Sequence, residues 1–503
     1  MSRMRTSSAV ELFVPLARDE ARPLHRQLEE QLRDAVRGGR LAPSATLPST
    51  RALAVQLGVS RGIVVEAYEQ LIAEGYLVSR PGGATRIARG ASPAPARKAE
   101  SAAPRFAVDF RPGRPDLDEF PRAAWLRSLR RVLNEAPSER FSYHDGRGIP
   151  ELRDALASYL NRVRGTAAAP ADVVICTGFT QGLKLVLNVL TARGALRVAV
   201  EDPGYAAARS IARGAGLRVI GIPVDDAGIR VELLDRARAD AVVITPAHQY
   251  PTGGVLPPDR RAALAAWAER RDAFIVEDDY DAEFRYDREP IGALQGLCPD
   301  RVFYAGSASK VLAPGLRLGW LVVPAPLVDE IAFAKRSDDL GSPTLEQLAF
   351  ADFVATGELD RHLRRVRPIY RARRDTLLAA LGRHLPRLRP VGASAGLHVL
   401  AWLPADVDEA ALLRSAGDAG IGLESLEESR LAMGAESGVI FGYGSVAQSA
   451  IDGGVQRLAD VAGAQPRRAR PGVGRPREAS GATASRKAAS SASSSARSSG
   501  GGL

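Results

Sequence analysis

Hydrophobic spacing changes character along this chain. Between Pro23 and Val36 the apolar positions Leu24, Leu28, Leu32, Ala35 and Val36 recur at helical intervals. Pro48–Leu57 predicts a second helix, with Ser49 or Thr50 suited to cap it. Gly58 and Val59 form a tight turn, and a third helix starts near Ser60 and runs through Val64, Ala67, Tyr68, Leu71 and Ile72. Helix, short glycine turn, helix is the helix-turn-helix pattern, whose second member lies in the DNA major groove. Gly75–Ile87 then reads as a hairpin with a Pro-Gly-Gly tip, the wing of a winged variant. From Phe106 onward, short β-rich runs alternate with helix-length segments. Residues 172–175, 197–200, 218–222, 241–244, 274–276, 301–304 and 320–323 all predict buried strands. That rhythm predicts a mainly parallel α/β sheet with ligand chemistry at its loops, followed by a smaller α+β subdomain over about 330–463.

Composition adds the boundaries. Residues 89–105 carry no aromatic or large apolar residue and read as a linker. Residues 464–503 hold no core-forming run and read as a disordered basic tail. The expected order is an extension (1–14), a winged helix-turn-helix domain (15–88), the linker (89–105), an α/β body (106–463) and the tail. The formal charge of +10 is uneven. Residues 1–90 hold 13 Arg against 9 acidic residues, and the tail adds +7, so the body is near neutral. Basic ends on a neutral body suggest a polyanion partner at the ends. Only two cysteines, no bilayer-length apolar stretch and no signal-like start argue against a disulfide scaffold, a membrane protein and a secreted one. The expected location is cytoplasmic.

In the first domain Arg51, Arg61, Arg80 and Arg86 are placed to reach phosphates or guanine edges. The segments Pro23–Leu28, Leu47–Ala54, Leu57–Arg61 and Ala67–Leu77 resemble the winged-helix DNA-binding domain of GntR-type bacterial regulators. By that resemblance Arg51, Ser60 and Arg61 contact double-stranded DNA, with Gly82 and Gly83 at the wing tip. Gly62 and Ile63 stand where such proteins often carry polar residues.

The body holds a sharper chemical signal. Of 68 basic residues only five are lysine, so a lysine that persists is a candidate for chemistry arginine cannot do. Lys310 sits in Gly306–Gly319, between a strand and a Pro-Gly loop, seven residues before Arg317. A primary amine forms a Schiff base with an aldehyde; Arg317, Ser307 and Ser309 suit a phosphate. A phosphorylated aldehyde cofactor, pyridoxal 5'-phosphate, uses both. Its pyridine nitrogen needs a carboxylate, for which Asp278 or Asp279 in Val276–Asp281 qualifies, and Tyr280 suits its phenolate. The strand-to-helix turn around Gly178 offers free amides to the phosphate.

This block resembles the fold-type I enzymes of the aspartate aminotransferase superfamily. With the winged helix in front, residues 15–463 resemble the MocR-type subfamily of GntR regulators. The resemblance is carried by Asp109–Asp116, Val200–Tyr205, Thr245–Gly253, Glu277–Tyr286 and Ala395–Pro404. It implies an aldimine at Lys310, Asp278 on the pyridinium, Tyr280 on the phenolate oxygen and Tyr205 on the ring. Gly178, Phe179, Thr180, Ser307 and Arg317 hold the phosphate, and Tyr143 reaches the phosphate of the other subunit, which implies a homodimer. Two positions depart from aminotransferases. Tyr250 replaces the Asn before Pro-Thr-Gly, and Gly438–Gly444 lacks the arginine that clamps a substrate carboxylate. The expected function is therefore a DNA-binding transcriptional regulator sensing an amine, an amino acid or the cofactor itself, with little turnover. The alternative is an aminotransferase with an added winged helix. The six histidines show no metal-ligand spacing.

Overall fold

The computed structural model describes residues 15–80, 83–89, 106–286, 291–432 and 436–463. Expectations for the extension, Gly82, the linker beyond Arg89 and the tail fall outside the described residues. The chain divides into two compact units, residues 1–104 and 105–503.

The first unit contains α1 (Leu24–Arg37), α2 (Thr50–Leu57), α3 (Arg61–Ala73), β1 (Leu77–Val78) and β2 (Arg86–Ile87). Leu28, Leu32, Leu53, Val64, Tyr68, Leu71, Leu77 and Ile87 close one core. Ile72, expected on the buried stripe of α3, is 38% exposed: it follows Leu71 and so points off the face that meets α1. Ser49, not Thr50, caps α2, its hydroxyl accepting from the Ala52 amide at 3.2 Å. Gly58 ends that helix in the left-handed region (φ 63°), which a residue with a Cβ enters at a cost. β1 and β2 pair antiparallel, Leu77 opposite Ile87, as a wing requires.

In the second unit the strands are β3 (Val108–Asp109), β4 (Val173–Cys176), β5 (Arg197–Asp202), β6 (Arg218–Asp225), β7 (Gly228–Ile229) and β8 (Ala241–Ile244). There follow β9 (Phe274–Asp279), β10 (Val302–Ser307), β11 (Gly319–Val322), β12 (Arg389–Val391), β13 (His398–Trp402), β14 (Ile421–Gly422), β15 (Glu424–Ser425) and β16 (Gly438–Gly442). The large sheet runs β4-β11-β10-β9-β8-β5-β6-β7. Neighbours from β10 to β6 are parallel, while β11 is antiparallel to both β10 and β4. β4, β5, β8, β9 and β10 therefore end on one edge. Their central residues are apolar on both faces because helices cover both. Val198, Val243, Val276 and Phe303 pack on one side, Ala199, Val242, Ile275 and Val302 on the other.

A second sheet, β12-β13-β16-β15, is antiparallel throughout and belongs to the smaller subdomain with the helices Glu358–His384, Glu409–Asp418 and Gln448–Gly463. The subdomain is not confined to the expected 330–463. β3 pairs in parallel with β14, Val108 opposite Ile421, so the start of the body is stitched into its end.

Candidate functional site

Where the parallel strands end, their loops enclose a cavity of about 470 Å³, the position at which open α/β sheets hold ligands. Nine of the ten residues that the family resemblance implies line it, Gly178, Phe179, Thr180, Tyr205, Asp278, Tyr280, Ser307, Lys310 and Arg317, and Ser309 joins them. The tenth, Tyr143, is 81% exposed and does not line the cavity of its own subunit.

Local backbone explains how each arrives. β10 ends at Ser307 and the chain turns at once into the short helix Ala308–Val311, which lifts Lys310 into the cavity. Its ammonium donates to the carbonyl of Gly113, and burial holds its pKa below the usual lysine value. A lysine so shifted yields the neutral amine more readily, the form that attacks a carbonyl. Ser307 caps this helix, its hydroxyl accepting from the Ser309 amide at 3.4 Å. Arg317 adopts a left-handed backbone (φ 51°), and a Cβ on Gly178 would lie 3.3 Å from its guanidinium. Gly178 (φ 109°) is also the residue before the helix Phe179–Ala192. Free amides of a helix start and a guanidinium thus meet over one glycine, an anion cradle.

Asp278 and Asp279 leave β9 on opposite faces, as successive strand residues must. Asp279 is buried against Arg164 (Nε to Oδ2, 2.7 Å) and accepts from the Tyr304 hydroxyl at 2.7 Å, so of the two carboxylates left open by the sequence it is the structural one. Asp278 lines the cavity, is only 8% exposed and has no hydrogen bond or ion pair among the described residues. Burial, with the charge of Asp279 next to it, raises its pKa well above the carboxylate range. A carboxylate left without a partner in a nearly dry site calls for a cation. A protonated pyridine nitrogen meets that requirement, the Gly178–Arg317 cradle suits a phosphate, and Lys310 suits an aldehyde. The residues present therefore fit pyridoxal 5'-phosphate.

At the cavity wall the fold gathers three groups that chain spacing did not foretell, two of which, Asp281 and His398, line the cavity. The ligand-type atoms of His248, Asp281 and His398 lie within 4.8 Å of one another. His248 Nδ1 is 3.0 Å from both Asp281 Oδ2 and the Tyr280 hydroxyl, and its Nε2 is 3.3 Å from the Gly392 carbonyl. Burial alone would lower the His248 pKa, but Asp281 outweighs it and raises it. His398 donates to the Pro251 carbonyl at 3.2 Å, and burial together with the positive charge of the neighbouring His248 pushes its pKa down to about 3. Among the described residues His248, fixed by Asp281, supports the Tyr280 hydroxyl, and the His398 ring stacks near that of Tyr280. Glu424 and Glu428 also line the cavity. They lie more than a hundred residues beyond Lys310, and nothing local in the chain announces them.

On the first unit Arg51, Ser60, Arg61 and Gly83 are all exposed. Ser60 is the residue before α3 and makes no capping bond there, while Arg61 donates to Thr50 Oγ1 at 3.3 Å. The start of α3 therefore presents a hydroxyl and a guanidinium to solvent.

The aminotransferase class I and II family profile matches residues 108–421. That of the bacterial regulatory proteins of the gntR family matches residues 24–87. The chain is 35% identical over 443 residues to the HTH-type pyridoxine biosynthesis transcriptional regulator PdxR of Corynebacterium glutamicum, covering 86% of this chain and 95% of that protein. It is 33% identical over 466 residues to the probable rhizopine catabolism regulatory protein MocR of Rhizobium meliloti, covering 88% and 94%. Among solved structures, the kynurenine aminotransferase of Pyrococcus horikoshii in complex with PMP aligns with a TM-score of 0.66 and 27% identity, over 72% of this chain and 91% of that one. No helix among the described residues is long and apolar enough to cross a membrane.

Proposed function

Since the chain belongs to the GntR-type regulators whose body is an aminotransferase class I and II domain, and so is a DNA-binding transcriptional regulator built around pyridoxal 5'-phosphate, we propose that it senses an amine, an amino acid or the cofactor itself at Lys310 and passes that state to its winged helices. The observation that carries this reading is the unpartnered, nearly buried Asp278 facing the same cavity as Lys310.

When bound, the cofactor supplies an aldehyde that amines condense with and an electron-withdrawing ring. Lys310 is the amine that anchors it, kept reactive by burial. Asp278 pairs with the pyridine nitrogen. Tyr280, held by the His248–Asp281 pair, donates to the phenolate oxygen. Tyr205, which lines the cavity, would pack against the ring. The amides after Gly178, the hydroxyls of Thr180 and Ser307 and the guanidinium of Arg317 bind the phosphate. Exposed Tyr143 reaches into the site of a second copy, so the working unit is a cytoplasmic homodimer. Arg51, Ser60, Arg61, Gly82 and Gly83 meet the operator.

β16, buried at all five positions, carries no arginine. Without a bidentate clamp an amino-acid carboxylate is neither held nor oriented, which disfavours efficient amino transfer. Regulation then rests on reciprocity: a ligand that changes operator affinity must have its own affinity changed by operator to the same extent. Operator titrations of the cofactor-loaded and cofactor-free protein, with and without amines, test this. Operator affinity that moves with the state of the cavity is expected; indifference to cofactor and amines, or rapid transfer of an amino group to a keto acid, contradicts the reading.

A further inference from the structure

The structure assigns the effector-facing end of the Lys310 cavity to a second cationic group rather than a carboxylate, with Glu424 as the residue that selects it. The assignment rests on the reading above and narrows its effector to a diamine-type compound, one amine turned toward Lys310 and another cationic group toward Glu424.

The two departures from the aminotransferase pattern are physically joined. Tyr250, standing in place of asparagine, donates its hydroxyl to Glu424 Oε1 at 2.7 Å. Glu424 lies on β15 directly opposite Ile440 of β16, the strand from which the carboxylate-binding arginine is missing. The fold thus sets a carboxylate one strand away from the absent guanidinium.

An inventory of charge in the cavity supports the same conclusion. Arg317 is committed to the phosphate cradle, Asp278 to the ring nitrogen and Asp281 to His248. Arg114 also lines the cavity, and its guanidinium shares the single Asp109 carboxylate with Arg111, which leaves one positive charge there, within reach of Glu424. Glu424 and Glu428 together outweigh it, so this end stays acidic. Glu424 is close enough to Lys310 for each to shift the other's titration. A carboxylate brought here meets like charge. An ammonium gains a charge-assisted hydrogen bond in a partly desolvated site.

The test is calorimetry on full-length, cofactor-loaded protein with three probes of similar length: 1,4-diaminobutane, 1-aminobutane and 4-aminobutanoate. The diamine is expected to bind at least about tenfold more tightly than either other probe. Glu424→Gln is expected to erase that preference, Tyr250→Phe to keep it because the carboxylate stays, and Glu428→Gln, at an exposed position, to reduce it without disturbing the fold. Equal or tighter binding of 4-aminobutanoate, or a preference that survives in both glutamate variants, overturns the assignment. The visible spectrum separates the levels. A cofactor band that depends on Lys310 together with equal binding of all three probes defeats this assignment alone. Absence of the band defeats the reading beneath it as well.

Discussion

Asp278 and Asp279 are neighbours in the chain and opposites in the fold, and their substitutions should part accordingly. Asp279→Ala strands the buried Arg164 guanidinium and the Tyr304 hydroxyl. Thermal or denaturant unfolding is expected to register a loss of about 3–5 kcal/mol. Asp278→Ala removes a carboxylate with no protein partner, so it should leave stability nearly unchanged while cofactor affinity falls about tenfold or more. Equal stability losses in the two variants would show that the strand faces are misassigned. Glu201 gives a pH signature. Burial pushes its carboxyl up to about 7, against the Thr245 hydroxyl and amide that pull it down. A carboxyl raised on folding binds more protons in the native state, so its contribution is fully present below pH 4.5 and is lost as pH rises through about 7. The stability of wild type relative to Glu201→Gln should therefore decline across that window, by up to about 3 kcal/mol. A difference that is flat with pH would contradict the shift. Residue identity at the site was partly legible for a chemical reason: lysine is rare here, and an Asp two residues before a Tyr at a strand end is a compact pattern. The choice between Asp278 and Asp279 needed the strand's register.

At the element scale, strands were readable where both faces are buried. Ala241–Ile244 has nothing but apolar side chains because helices cover it on each side. The two-residue strands β3, β7, β14 and β15 have no such run: β3 and β14 exist because each lies alongside the other from far along the chain, while β7 closes a tight hairpin on β6 and β15 pairs with β16. Glu424 was invisible for that reason: its meeting with the cavity depends on β15 pairing with β16. Glycines at element junctions carry a further expectation. A Cβ on Gly319, at the start of β11, would lie 2.6 Å from the Cα of Gly178, backbone against backbone. Gly319→Ala should displace the phosphate cradle and weaken cofactor binding, read by equilibrium titration, although residue 319 touches no ligand itself. Unchanged affinity would show that the cradle tolerates the shift. In the first unit, Ser49→Ala removes the cap of α2 and should cost about 1 kcal/mol.

For the whole molecule the uneven charge becomes a measurable quantity. The first ninety residues and the last forty carry +4 and +7. Each phosphate neutralised adds about −0.9 to the slope of log affinity against log salt. Deleting residues 464–503 should flatten that slope and weaken non-specific DNA binding while sparing discrimination of the operator. Arg61→Ala, at the start of α3, should instead lower operator affinity by about 1–3 kcal/mol and relax specificity. Fluorescence anisotropy over a salt series distinguishes the two, and a tail deletion that alters neither slope nor affinity would exclude the tail as a DNA contact. The order of the units was legible because their periodicities differ. That the body begins and ends in one small subdomain was not, since β3 and β14 lie more than three hundred residues apart.

The measurement that bears most directly on the central claim is the visible absorption spectrum after adding pyridoxal 5'-phosphate to wild-type protein and to Lys310→Ala. The wild type is expected to develop a protein-bound cofactor band that the variant lacks, and amines that shift the band should also shift operator affinity. A wild type without the band, or a variant that shows it equally, would contradict the claim that this body reads its signal through Lys310.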